Sequence, residues 1–135
     1  MPTRYQVLRQ VVANLAAPAE VQVAHLNRVF ADCTPDIQAA YGNDELALEF
    51  EDAYLAVNHM QSHGEISQRE IDALAPLNAL LLQWSGKVHA DFWRREALFN
   101  DERWNQVRDC AKVALIQLPE EVRESDYTRG LPGNS

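Results

Sequence analysis

The sequence lacks most of the marks that identify a function on sight. It has only 2 cysteines, Cys33 and Cys110, far apart and in no CxxC pattern, so buried, reduced thiols are expected, not a disulfide. No run of about 18 apolar residues occurs, which excludes a transmembrane helix. The opening "MPTRYQVLRQ" has no apolar core of the signal-peptide kind, and the cytoplasm is the expected location. Alternating strand patterns of useful length and internal repeats are missing. So are the catalytic signatures: there is no GxGxxG, GxSxG or HExxH, and no pair of inward Glu-x-x-His motifs for a di-iron bundle. The "SGKV" at 85–88 shares only a Gly-Lys pair with a phosphate loop. No enzymatic activity and no cofactor are expected.

Basic residues are missing from the middle of the chain. The formal net charge is −8, and residues 32–72 hold ten acids against Arg69 alone. Residues 1–31 are slightly basic, and residues 73–135 nearly balanced, with nine acids and eight bases. Nucleic acid and anionic membrane both require a basic footprint and are disfavoured as ligands. A basic protein partner suits such a surface.

What the chain does carry is helical periodicity. A chain of 135 residues forms one ordinary domain and buries roughly two-thirds of its unfolded surface without metal or disulfide. Thr3 and Gln6 make a capping box, followed by Tyr5, Leu8, Val11, Val12 and Leu15 at helical spacing. A second helix over about 19–31 presents Val23, Leu26 and Phe30. Thr34, Pro35 and Gly42 bound a short helix, with Gly42 as a left-handed stop. Asn43 or Asp44 caps a long helix to about Ser62, with Leu46, Phe50, Ala53, Val57 and Met60 as its seam, and Gly64 ends it.

Ser67 and Glu70 form a second capping box, with Ile66 and Ile71 placed for a hydrophobic staple. Pro76 should kink or split the helix that follows. A further helix is expected through "VHADFWRREALF", with Arg94, Arg95 and Glu96 on a charged outer face. The last, capped by Asn100 or Asp101, has Trp104, Val107, Ala111, Ala114 and Leu118 inside. The aromatic side chains Trp84, Phe92, Trp93, Phe99 and Trp104 read as core. The fold class is all-α: a single antiparallel bundle of five to seven helices over residues 1–118, with no sheet. Residues 119–135 form a charged, Pro- and Gly-containing tail, expected to be mobile unless Val122, Tyr127 and Leu131 dock.

Two groups could carry chemistry or binding. His59 and His63, four residues apart, share a helix face and are possible metal ligands, although histidines near a helix C-terminus also simply favour its negative end. The second group lies in "GNDELALEFEDAY", where Asp44, Glu45, Glu49, Glu51 and Asp52 fall within nine residues without a base among them. Glu45 and His63 lie about 27 Å apart at 1.5 Å per residue of helix, so the stripe cannot form one metal centre. Asp44 and Glu45 complement the helix dipole. Glu49, Glu51 and Asp52 lie past the first turn with no Lys or Arg four residues on. Leu48 and Leu55 flank them opposite the seam. Exposed, these seven residues would combine apolar contact with charge steering toward a basic partner.

The C-terminal third resembles a family. Trp93, Ala97 and Leu98, then Trp104, Val107, Arg108, Ala111 and Leu115, are similar to the ends of small helical bacterial immunity proteins encoded beside polymorphic or contact-dependent toxins. The likeness covers about 30 residues and consists mostly of core spacing. It implies a cytosolic protein that binds one cognate toxin domain and blocks it, and it transfers no binding residue. The alternatives are a metal-binding helical enzyme using His59 and His63, or an adaptor subunit that oligomerises through its helix seams.

Overall fold

The computed structural model describes residues 3–32, 34 and 42–119. Among these are seven α-helices and no strand: α1 Arg4–Ala16, α2 Ala19–Val29, α3 Asp44–Tyr54, α4 Val57–Ser62, α5 Gln68–Gln83, α6 Ala97–Asn100 and α7 Glu102–Ile116, with a 3₁₀ segment Lys87–Trp93 between α5 and α6. The all-α bundle is as expected. The body of the short helix expected after Thr34 lies outside the described residues, as do Cys33 and the tail beyond Pro119.

The helix starts follow the local chemistry. The Thr3 hydroxyl accepts from the Gln6 amide while the Gln6 side chain accepts from the Thr3 amide, and Ser67 and Glu70 repeat the exchange. Asp101 caps α7 by accepting from the Arg103 amide at 2.9 Å. Each such cap contributes about 1 kcal/mol. Gly64 ends α4 at φ 72° as expected.

α1 packs against both α3 and α7, and α7 packs in turn against α5. The core is Leu8, Val12 and Leu15 of α1 with Leu46, Phe50, Leu74, Leu77, Trp104 and Val107 from its neighbours, all essentially inaccessible. Tyr5 donates to the Pro119 carbonyl at 2.6 Å and Arg9 to that of Leu118 at 2.8 Å, so α1 ties down the carbonyls at the end of α7. α3 and α5 have no close packing of this kind with each other. A groove lies between them.

The structure departs from several of these expectations. The long helix from 44 to 62 is two helices: at Leu55 and Ala56 the chain tightens, and the Ala56 amide bonds Ala53, three residues back. Both residues keep right-handed helical angles, so the seam through Leu46, Phe50, Val57 and Met60 stays buried. Pro76 does not split α5, which runs unbroken for 16 residues with Leu74, Leu77 and Leu81 buried on either side of it. The helix expected over 88–99 is a 3₁₀ segment and a separate single turn, because side chains from elsewhere claim its carbonyls. Trp104 and Asn43 both donate to the Phe92 oxygen, and Asn43 also donates to that of Arg94.

The helix that Gly42 was expected to stop lies outside the described residues; a Cβ at Gly42 would strike the Arg95 guanidinium, so glycine permits this close approach. Arg95, expected on an outer face, is half-buried against Gly42 and donates to Asn27 at 2.8 Å. Of the five aromatic residues, Phe92 and Trp104 are buried and Trp84 and Trp93 half-buried, but Phe99 is exposed.

One buried polar network was not foreseen. Gln22, which is 1% exposed, donates to the carbonyls of Asn14 and Leu15 at the end of α1 and accepts from Arg108 of α7 at 2.9 and 3.1 Å. Arg108 also donates to the Leu98 carbonyl and to Asn105. Burial lowers the Arg108 pKa from its ordinary value, a sign that the charge depends on these acceptors. Gln22→Leu should therefore lower the unfolding free energy by about 2–3 kcal/mol in urea denaturation. Gln106→Ala, on the exposed side of the same helix, should stay within about 0.5 kcal/mol.

Candidate functional site

The outer half of α3 presents two parallel stripes. Asp44, Leu48, Glu51 and Leu55 recur at steps of four, three and four, and so line up along one face. Glu45, Glu49, Asp52 and Ala56 form the adjacent stripe. Because the seam side is consumed by the core, the first stripe must face outward. Leu48 is 47% exposed and Leu55 76%. Asp44 and Glu51 are exposed and make no ion pair among the described residues.

Beyond this stripe lies the groove between α3 and the end of α5, a cavity of about 600 Å³. Its base is apolar, formed by the buried Phe50 and Leu81 with half-buried Trp93. Leu48 and Leu82, both exposed, line it from α3 and α5. Asp44 and Glu51 stand on the α3 rim, and Lys87 of the 3₁₀ segment on the other. Trp93 is fixed by its indole N–H, which donates to the Trp84 carbonyl at 3.0 Å.

Sequence reading placed Leu48 and the acids here but missed the opposite wall. A signal was present: Leu80, Leu81 and Leu82 are consecutive, and three successive helical positions sweep about 200°. They cannot all point inward. Lys87 and Trp93 carried no such signal, because the 3₁₀ turn that aims them follows from contacts distant in sequence.

The second stripe behaves differently. Glu49 is not unpaired: both of its carboxylate oxygens meet His25 Nε2 of α2, at 2.9 and 3.0 Å. No rule about spacing four residues on could find a partner on another helix. This pair lines a second cavity of about 930 Å³ with Asp52, Gln10 and Asn14. Larger though that cavity is, its Glu49 carboxylate is already bonded to His25. Glu45 is half-buried, and its carboxyl pKa is raised, first by burial and then by Glu49, Asp44 and Asp52.

His59 and His63 do sit together, with ring centroids 4.4 Å apart. Their Nδ1 atoms are engaged: that of His59 accepts from Arg4, and that of His63 donates to the His59 carbonyl at 2.9 Å. Arg4 also binds Glu65 through two hydrogen bonds, and this lowers the Glu65 carboxyl pKa. Among the described residues, no group of three or more His, Cys, Asp or Glu side chains is arranged to hold a metal ion.

No protein-family model matches the chain. No curated protein and no solved structure resembles it either. The positions on which a likeness to immunity proteins was expected point mostly inward: Ala97, Leu98, Trp104, Val107 and Ala111 are core, and Arg108 belongs to the buried network. They describe packing, and the binding face must be argued from the surface. No described helix is long and apolar enough to cross a membrane.

The crowded carboxylates make a pH-dependent prediction. A carboxyl whose folded pKa is raised takes up its proton more readily in the folded state. Its ionisation therefore removes stability as pH rises from the ordinary carboxylate value through the raised one. Glu45→Gln should stabilise the protein by a few tenths of a kcal/mol at pH 7. At pH 3, where Glu45 is protonated in both states, it should have no effect. Urea denaturation at the two pH values checks this.

Proposed function

We propose that this chain is a protein-binding inhibitor that engages a basic partner through the outer face of α3, in the manner of an immunity protein neutralising a toxin domain. The observation that carries the reading is the exposed stripe of Asp44, Leu48, Glu51 and Leu55, in which two large apolar side chains alternate with two carboxylates that have no ion-pair partner among the described residues. A face kept only for helix stability would interleave bases among these acids. Apolar area supplies affinity, and the unpaired charge supplies steering and selectivity. Asp52, exposed at the edge of the stripe, adds to the same field. Glu49 is tied to His25 and belongs to the scaffold of the face.

The absence of a metal-ligand group among the described residues leaves the metalloenzyme alternative without a supporting observation. The immunity reading rests on the likeness in the C-terminal third together with this charged face. Its test is functional. Cells producing the polypeptide encoded immediately upstream should lose growth, and co-production of this chain should restore it. Glu51→Lys with Asp52→Lys should slow association and weaken binding roughly hundredfold, with loss of protection. Raising salt should weaken the wild type and not the variant. Unchanged binding by the double variant would remove this face from the interface.

A further inference from the structure

We propose that the groove between α3 and α5 receives a single bulky apolar side chain of the partner, flanked by arginine or lysine. This deepens the proposed function and rests on it. The groove has the properties of a pocket for an anchor residue, not of a gap left by poor packing. Its volume, about 600 Å³, lies in the range of clefts that take a drug-sized ligand, room for one bulky side chain and part of its flanks. Its base of Phe50, Leu81 and Trp93 is apolar, and Trp93 is held in place through its indole hydrogen bond. Water against such a base is displaced at a gain of about 25 cal/mol per Å² of apolar surface covered.

The rim specifies the flanks. Asp44 and Glu51 stand about two helical turns apart along α3, on either side of Leu48, and neither has an ion-pair partner among the described residues. A cation placed beside the anchor meets a carboxylate on α3. Lys87, alone on the facing rim, repels the same cation and so fixes which way the segment lies. A partner segment with acidic flanks would meet two like charges and is excluded by the same geometry.

The test uses three 12-residue peptides with a central Phe between two Arg, the same Phe between two Glu, and a central Ala between two Arg. Each is titrated into the whole protein and followed by amide and indole NMR shifts. The first should saturate, with shifts centred on Leu48, Glu51, Leu82 and the Trp93 indole. The other two should bind at least about tenfold more weakly. Ala90→Trp fills the groove from an exposed position on its lining without adding charge, and should abolish the shifts while leaving the fold intact.

No saturation by the first peptide at millimolar concentration would overturn the inference, as would binding indifferent to the sign of the flanks or shifts centred on Glu49 and Asp52. Shifts that grow with protein concentration in the absence of peptide would assign the groove to a second copy of the chain and overturn it equally. The two readings separate cleanly. If Ala90→Trp still binds and neutralises the full partner while Glu51→Lys with Asp52→Lys does not, the interface stands and the groove has no part in it.

Discussion

The carbonyl oxygen of Phe92 holds the structure together beside the groove. It accepts from the Trp104 indole at 2.7 Å and from the Asn43 amide. It thereby joins three parts of the chain that no local rule would connect: the start of α3, the 3₁₀ segment and the first turn of α7. The Phe92 ring stacks on Trp104 with centroids 4.5 Å apart and planes 5° apart. Arg103 covers the ring's other surroundings, bonded to Asp101 and Asp91 and lying 5.2 Å from the Phe92 centroid. Buried in this way, the junction exchanges little with water, and each hydrogen bond is correspondingly costly to lose. Because of it the 3₁₀ segment cannot continue as a helix. It stands off from α3 instead, and the groove is the space that results.

The two stripes of α3 show how one helix divides its charges between scaffold and surface. Glu49 spends its carboxylate on His25 and fastens α3 to α2. Asp44, Glu51 and Asp52 make no ion pair among the described residues, and the field of the cluster is felt by Glu45, whose pKa it helps to raise. Such a cluster costs stability, by a few tenths of a kcal/mol per like-charged neighbour. Those carboxylates would serve folding better if interleaved with bases. Their arrangement beside exposed Leu48 and Leu55 is the reason to assign them to a partner.

Much of this was legible in the sequence. Both capping boxes, the stop at Gly64, the seam of α3 and α4 and the inward face of α7 all follow from spacings of three and four, which a single helix enforces on itself. What escaped depends on contacts far apart in sequence. His25 lies 24 residues from Glu49, and Gln22 lies 86 from Arg108. The break of the 88–99 helix arises from Asn43, 49 residues away from Phe92. The packing of Arg95 against Gly42 joins residues 53 apart. The acidic half of the candidate site could be named from composition and periodicity. So could Leu48, and Leu82 carried a signal in the leucine run at 80–82, but Lys87 and Trp93 carried none, since they reach the groove only through the 3₁₀ turn.

The central claim is that the outer face of α3, with the groove beside it, is the surface a basic partner covers. Hydrogen exchange of this chain, alone and saturated with the proposed partner, addresses that claim most directly. Protection should appear over residues 44–55 and 82–93 and leave the amides of α1 and α2 unchanged. Protection confined to α1, α2 or the exposed side of α7, with 44–55 exchanging as in the free protein, would contradict it.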